Sequence, residues 1–505
     1  MKPKNKVSDP IQKKLKGLGP AIESKISDKL DDNESAIKQL FVNCSDLVVR
    51  RLHIFGSTPA MVVYLEVLID KQLWDTGFLE PLMLQDSVPI ESPQQLSEQL
   101  NYKLASTVQP QIALNINEVV QLLLRGEVVL FVEASTEAFS FKVRDKLHRQ
   151  LEEPSVEAGI RGPRYGFIEK LEINLTLLRQ RIRTPRLKIE KLCVGGLSQT
   201  DVAIVYIEDI AHQSVVDEVK QRISNIDMGS VLESGYIEEL ISDQPYSPFP
   251  TMQATQRPDL VSASLVEGKV AVLIDGSPVV LILPISFWFG FQSAEDYYMK
   301  FIYATMLRWL RYLFAFLAMA LPAIFIAITT FHQEMIPTSL TLSLAAAREV
   351  VPFPAVMEAL IMEITFEALR EAGIRLPRPV GQTISIVGAL VIGQAAVQAG
   401  IISAPKIIVV SVTGIASFLI PNPSMSQAIS IIRFPLMLFA ASFGLYGVVV
   451  GLIAVLIHLV NLRSFGVPYM TPLAPFNLTG LSDVLFRAPW RMMLRRHQQT
   501  KKRLE

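Results

Sequence analysis

The chain has 505 residues, enough for two to four domains rather than one. Acidic and basic residues balance at 48 each, so net charge points to no polyanionic partner, while half of the residues are apolar and the mean hydropathy is +0.33. Cys44 and Cys193 are the only cysteines, which excludes a disulfide framework and a thiolate metal site.

Charges are frequent from Lys2 to Glu267, sparse after Asp275, and return at Arg487. That distribution predicts an α/β cytoplasmic N-terminal domain of two subdomains, followed by an α-helical polytopic membrane domain. Residues 1–34 read as a charged, flexible tail without the apolar core of a signal peptide, so the first hydrophobic segment also has to act as the targeting signal. Residues 35–110 read as a mostly helical subdomain, because 61–73 place apolar residues near helical spacing. Residues 111–295 read as an α/β subdomain. EVVLFVE (127–133), DVAIVYI (201–207) and KVAVLID (269–275) are short β-branched runs, suited to buried strands and too short for membrane helices. In two places a helix-like run, a glycine and a strand follow one another, at Gly126 and at Gly268, which suggests a duplicated unit. Residues 161–186 carry Arg161, Arg164, Lys170, Arg179, Arg181, Arg183 and Arg186. The admixed Glu169 and Glu172 and the scarcity of aromatics favour a solvated or domain-contacting face over a nucleic-acid patch, and lipid headgroups are a further possible contact.

Residues 296–465 hold about four to six hydrophobic segments. A spanning helix needs ~20 mostly apolar residues to cross ~30 Å of hydrocarbon. The runs 312–331, 379–405, 407–432 and 434–462 meet that length, the last three separated only by Lys406 and Arg433. Residues 276–294 and 356–372 are ambiguous, the first for its prolines and the second for its charges. Lys300, Arg308, Arg311, Arg370, Arg375, Arg378 and a basic tail over 466–505 place both ends in the cytoplasm, which requires an even number of spans and makes one segment re-entrant. Gly381, Ser385, Ala389 and Gly393 recur every four residues and predict close helix packing, as do Gly444, Gly447 and Gly451.

The richest segment is 351–373, VPFPAVMEALIMEITFEALREAG. Prolines open it and a glycine closes it, so it reads as a helix. At 100° per residue, Glu363, Glu367, Arg370 and Glu371 share about a third of its circumference. Carboxylates at bilayer depth are costly and face water or a bundle interior. Around a shared axis Glu363 and Glu367 would form acidic rings selecting monovalent cations, with Leu360 or Ile364 as a constriction. An amphipathic helix lying on the membrane surface accounts for the same pattern. No P-loop, dinucleotide fingerprint, zinc motif or nucleophile elbow is present and the six histidines are scattered, so no catalytic, cofactor or metal residue is assigned and the chain does not read as an enzyme.

Several long stretches are similar to one family. They are RGPRYGFIEKLEINLTLLRQRIRTPRLK (161–188), YIEDIA (206–211), SPFPTMQATQRPD (247–259), DGSPVVLILP (275–284), FHQEMIPTSL (331–340), REVVPFPAVMEALIMEITFEALREAGIRLP (348–377), GQTISIVGALVIGQAAVQAG (381–400) and SFGVPYMTPLAPF (464–476). The chain resembles the A subunit of GerA-type spore germinant receptors; the first 110 residues match loosely. The resemblance implies a multi-pass protein of the inner spore membrane that works with B and C subunits, forms a homo-oligomer, contacts lipid but not nucleic acid, and takes part in nutrient-triggered ion release. The B subunit is the transporter-like one and the C subunit a lipoprotein. Stage V sporulation protein AF, an accessory germination paralogue, shares these motifs, and a secondary transporter or a membrane scaffold are the further alternatives.

Overall fold

The computed structural model describes residues 25–55, 58–83, 110–143, 161–375 and 393–489. The chain forms two compact units: one comprises the residues up to Leu283 except for Gly159–Gly162 and Ser242–Gln253, and the other comprises those two segments and the chain from Pro284 onward.

The first unit is built twice from one plan. Its first copy runs α1 (Leu30–Leu40), β1 (Leu47–Ile54), β2 (Thr58–Leu65), β3 (Gln111–Ala113), α2 (Ile116–Leu124), β4 (Glu127–Val132) and β5 (Ala138–Lys142). The second runs α3 (Leu171–Arg181), β6 (Leu187–Val194), β7 (Thr200–Ile207), then α4 (Gln213–Ser224) and α5 (Ser234–Ile241), then β8 (Gln253–Thr255), α6 (Pro258–Val266), β9 (Val270–Ile274) and β10 (Val280–Leu283). Strand order is β1-β2-β4-β5-β3 in one sheet and β6-β7-β9-β10-β8 in the other, the same order displaced by five.

The displacement in sequence is equally regular. Thr58 and Thr200, Gln111 and Gln253, Ile116 and Pro258, and Ala138 and Val280 each open matching elements 142 residues apart. Matching bonds accompany it. Asn33 clasps the backbone of Ser27 through both its amide atoms, and Asn174 clasps Ile168 in the same way. The first N–H of α1 donates to Glu133 and the first N–H of α3 donates to Asp275, each acid standing just past the fourth strand of its own copy. A carboxylate there satisfies an orphan donor and meets the positive end of the helix dipole.

Gly126 and Gly268 end α2 and α6 with φ of 78° and 93°, the left-handed conformation that closes a helix. A Cβ on either would press on a backbone carbonyl, at 3.0 Å from Leu68 and 2.7 Å from Ile210, again 142 residues apart. The helix–glycine–strand unit suggested by the sequence is therefore the centre of a larger repeat.

Four expectations from the sequence do not hold. The subdomain boundary at 110 falls inside the first sheet, since β2 pairs with β4. Residues 61–73 are not helical at their start: β2 is a central strand whose last six residues are all buried, and an interior strand loses the alternation that identifies strands at a surface. Residues 25–34 belong to the first copy rather than to a tail, with Ile26 and Leu30 buried in its core. Arg179, expected on a solvated face, is buried and bidentate on Asp46 at 2.9 and 2.8 Å.

The second unit is helical. It contains α7 (Phe301–Phe331), α8 (Thr338–Arg348), α9 (Ala355–Arg375), α10 (Ala404–Phe418), α11 (Pro423–Asn461) and α12 (Leu478–Val484). α7 and α11 are long and apolar enough to cross a membrane; α10 is apolar but shorter. α7 starts at residue 301 rather than 312 because Arg308 and Arg311 turn inward onto Asp296, at 3.1 and 2.8 Å. The run 407–432 is not one helix, since residues 419–422 break it before Pro423.

α11 folds back on itself at Gly444, whose φ of 60° and ψ of −143° are not helical. A Cβ on Gly447 would lie 2.1 Å from the carbonyl oxygen of Phe439, and one on Gly451 would lie 2.8 Å from Leu436. Residues eight and fifteen apart stand about 12 and 22 Å apart along a straight helix, so the arms 423–443 and 445–461 lie side by side. Residues 276–294 form β10 and then a short helical turn, not a span. Residues 466–489, expected to begin a tail, pack into this unit, with Tyr469 and Arg487 buried.

Candidate functional site

α7 supplies a surface of small residues: Ala315, Ala318, Ala323 and Ala327 are all buried. Small side chains let helix backbones approach closely where lipid offers no hydrophobic drive. α9 and α10 meet in the same manner, the ring of Phe366 resting on Gly414, where a Cβ would come within 2.4 Å. Of the predicted packing stripe, Gly381, Ser385 and Ala389 lie outside the described residues; Gly393 is described, and a Cβ there would make ordinary contact with Ile407.

A cluster of ionisable groups occupies the interior of this apolar bundle. Glu363 on α9 is 0 % exposed and Arg433 on the first arm of α11 is 1 % exposed; Nη1 of the arginine donates to Oε2 of the glutamate at 2.5 Å. The Nε of Arg433 donates to the backbone carbonyl of Ala318 on α7 at 2.7 Å. One guanidinium thus ties three helices. Glu358, one and a half turns earlier on α9, is also buried and accepts from the N–H and the hydroxyl of Ser403 at 3.1 and 2.9 Å. Arg348 at the end of α8 approaches its other oxygen at 3.6 Å. Lys406 on α10 is buried with its ammonium over the ring of Phe325, 4.8 Å from the centroid.

The residues singled out in the sequence separate into an inner and an outer set. Glu363 faces inward, and Leu360 packs against the core. Glu367 and Arg370 pair with each other at 2.9 Å along the helix, half-buried, and Arg370 reaches Ser430 at 3.4 Å. Glu371 pairs with Arg375 at 2.6 Å on the exposed side, and Ile364 is 59 % exposed. The four charged residues do not form one open acidic face. Arg433 and Lys406, which the sequence offers as separators between spans, lie inside the bundle and complete the site. A carboxylate buried in apolar surroundings needs a cation, but the sequence alone does not say which of the cations of this region supplies it. Among the described residues no group of three His, Cys, Asp or Glu could hold a metal ion.

The family described as "Bacillus/Clostridium GerA spore germination protein" matches residues 35–499. The chain belongs to the GerA spore germination family. Spore germination protein KA of Bacillus subtilis is 44% identical over 468 residues, covering 92% of this chain and 85% of that protein. Uncharacterized membrane protein YfkQ of the same organism is 43% identical over 482 residues, covering 95% and 93%. Spore germination protein A1, also from Bacillus subtilis, is 37% identical over 467 residues, covering 92% and 95%. Among solved structures, the N-terminal domain of the A subunit of the Bacillus megaterium spore germinant receptor GerK3 is 33% identical, with a TM-score of 0.41, covering 52% of this chain and 98% of that one.

Proposed function

We propose that this GerA family member is the A-type subunit of a germinant receptor, embedded by several spans in the inner membrane of the spore with its sheet unit in the cytoplasm. It works with B and C subunits, assembles in several copies, and takes part in the release of monovalent cations when nutrient engages the complex. The relatives' names support the first statement, and the apolar helices support the membrane seat. The single observation that carries the conduction reading is the Glu363–Arg433 pair. Ion pairs inside apolar bundles at membrane depth are costly and mark pathways for ions or the elements that gate them.

The pair assigns roles within α9. Glu363 is committed inside the subunit, so it sets the position of α9 against α7 and α11 rather than ringing an axis. Met357, Ile364, Ala368, Glu371, Ala372 and Arg375 are exposed on the helix and are left to face neighbouring copies or the ion path. The reading is tested by reconstituting the chain with its B and C partners in liposomes loaded with potassium. Nutrient-dependent efflux that disappears when this chain is omitted supports it; efflux that persists without the chain overturns it.

A further inference from the structure

The charge cluster does not close on itself. The Glu367–Arg370 pair is neutral, which leaves two carboxylates, Glu358 and Glu363, and three cations, Arg348, Arg433 and Lys406. Glu363 is committed to Arg433 at 2.5 Å. Lys406 is the cation left over. It is 1 % exposed, and its ammonium has no hydrogen-bond partner, although Glu358 and Glu363 both act on it electrostatically. It also stands in the first turn of α10, where the helix dipole opposes a positive charge. A buried ammonium that bonds nothing is an expensive arrangement unless another state uses it.

Glu358 is the group that state would use. One of its oxygens is taken by Ser403, while the other bonds nothing; Arg348 stops at 3.6 Å from it, outside hydrogen-bond range. Arg348 is the last residue of α8, and α8 has no buried residue of its own. α8 is therefore a helix with no buried side chain, resting lightly on α10 and held at its end by a loose ion pair, and a second cation waits beside the same carboxylate.

We propose that α8 is a detachable latch, held by Arg348 on Glu358, and that Lys406 is the counter-charge that takes over Glu358 when α8 leaves. The latched state leaves Lys406 unbonded; the released state bonds it and frees Arg348 to water. The competition makes the two states close in free energy, so small forces on α8 move the population. The proposal goes beyond the ion-release reading and stands whether or not the bundle conducts.

The test is hydrogen exchange of α8 amides in the full chain, in lipid nanodiscs, with the amides of α7 and α11 as the control for an intact bundle. Lys406→Met removes the competitor and is expected to slow α8 exchange about two- to fivefold, the range set by a weak, partly exposed ion pair. Arg348→Gln and Glu358→Gln are each expected to speed it by a similar factor, and K406M added to E358Q changes α8 no further. The proposal is overturned if K406M leaves α8 exchange unchanged or faster while α7 and α11 stay protected. Should K406M disturb the bundle, E358Q alone decides: α8 protection at the wild-type level also overturns it.

Discussion

Replacing Arg433 with Met isolates the strongest claim about the bundle. The substitution keeps most of the apolar volume of the side chain and removes its charge. Glu363 is then a carboxylate with no exposed surface and no cation bonded to it, only the unbonded charge of Lys406 acting on it, and the carbonyl of Ala318 loses its 2.7 Å donor. Breaking a buried pair from one side costs about 3–5 kcal/mol, because the desolvation of the remaining ion is no longer offset. Glu363→Leu strands the guanidinium and costs about as much. The double variant removes both ions and leaves an apolar contact, for which the expected change is near zero and can be stabilising by about 1–4 kcal/mol. The cycle is therefore strongly non-additive, with a coupling of several kcal/mol. The assay is reversible denaturation of the purified chain in mixed micelles, followed by circular dichroism for the singles, the double and the wild type. Additive losses, with the double variant as unstable as the sum of the singles, would refute a direct buried pair.

Gly444→Ala places a Cβ at a φ of 60°, 2.7 Å from His332, and is expected to destabilise the helical unit by about 1–3 kcal/mol, read as a lower melting temperature in detergent. Gly126→Ala and Gly268→Ala meet equivalent carbonyls in the two copies of the sheet unit, so their losses in thermal stability are expected to be alike; a loss in only one would contradict the equivalence. Cys44 is buried among backbone carbonyls of Pro185 and Leu187, and burial pushes its thiol up, whereas Cys193 is exposed. Maleimide at pH 8 is expected to label one site per native chain and a second only after denaturation, counted by mass spectrometry.

How much of this could be read beforehand depended on whether a residue's role is local. The three short apolar runs at 127–133, 201–207 and 269–275 are β4, β7 and β9, legible because each is short and rich in β-branched residues. β2 did not: its buried residues run directly into Val67, Leu68 and Ile69, and an unbroken apolar stretch has no period to distinguish strand from helix. The repeat showed only where both copies keep a glycine. The rest of it is carried by hydrogen bonds such as those of Asn33 and Asn174, whose meaning needs the fold. Gly444, Gly447 and Gly451 looked like a packing stripe, and two of them do pack, but against their own helix. A straight helix of the 39 residues of α11 would extend about 58 Å, nearly twice the ~30 Å of hydrocarbon, and the fold back at Gly444 halves that span. Lys406 and Arg433 were misplaced for a different reason. Hydropathy counts a charge as outside, and only tertiary structure reveals the carboxylate that holds it within.

The most direct test of the account is nutrient-triggered potassium efflux from liposomes carrying the reconstituted receptor, compared among Glu363→Arg, Arg433→Glu and the two combined. Each single variant places like charges in contact inside the bundle and is expected to abolish efflux; the exchanged pair restores attraction and is expected to recover it. Efflux at the wild-type rate from either single variant, in a fully assembled complex, would contradict the claim that this buried pair positions the helices on which ion release depends.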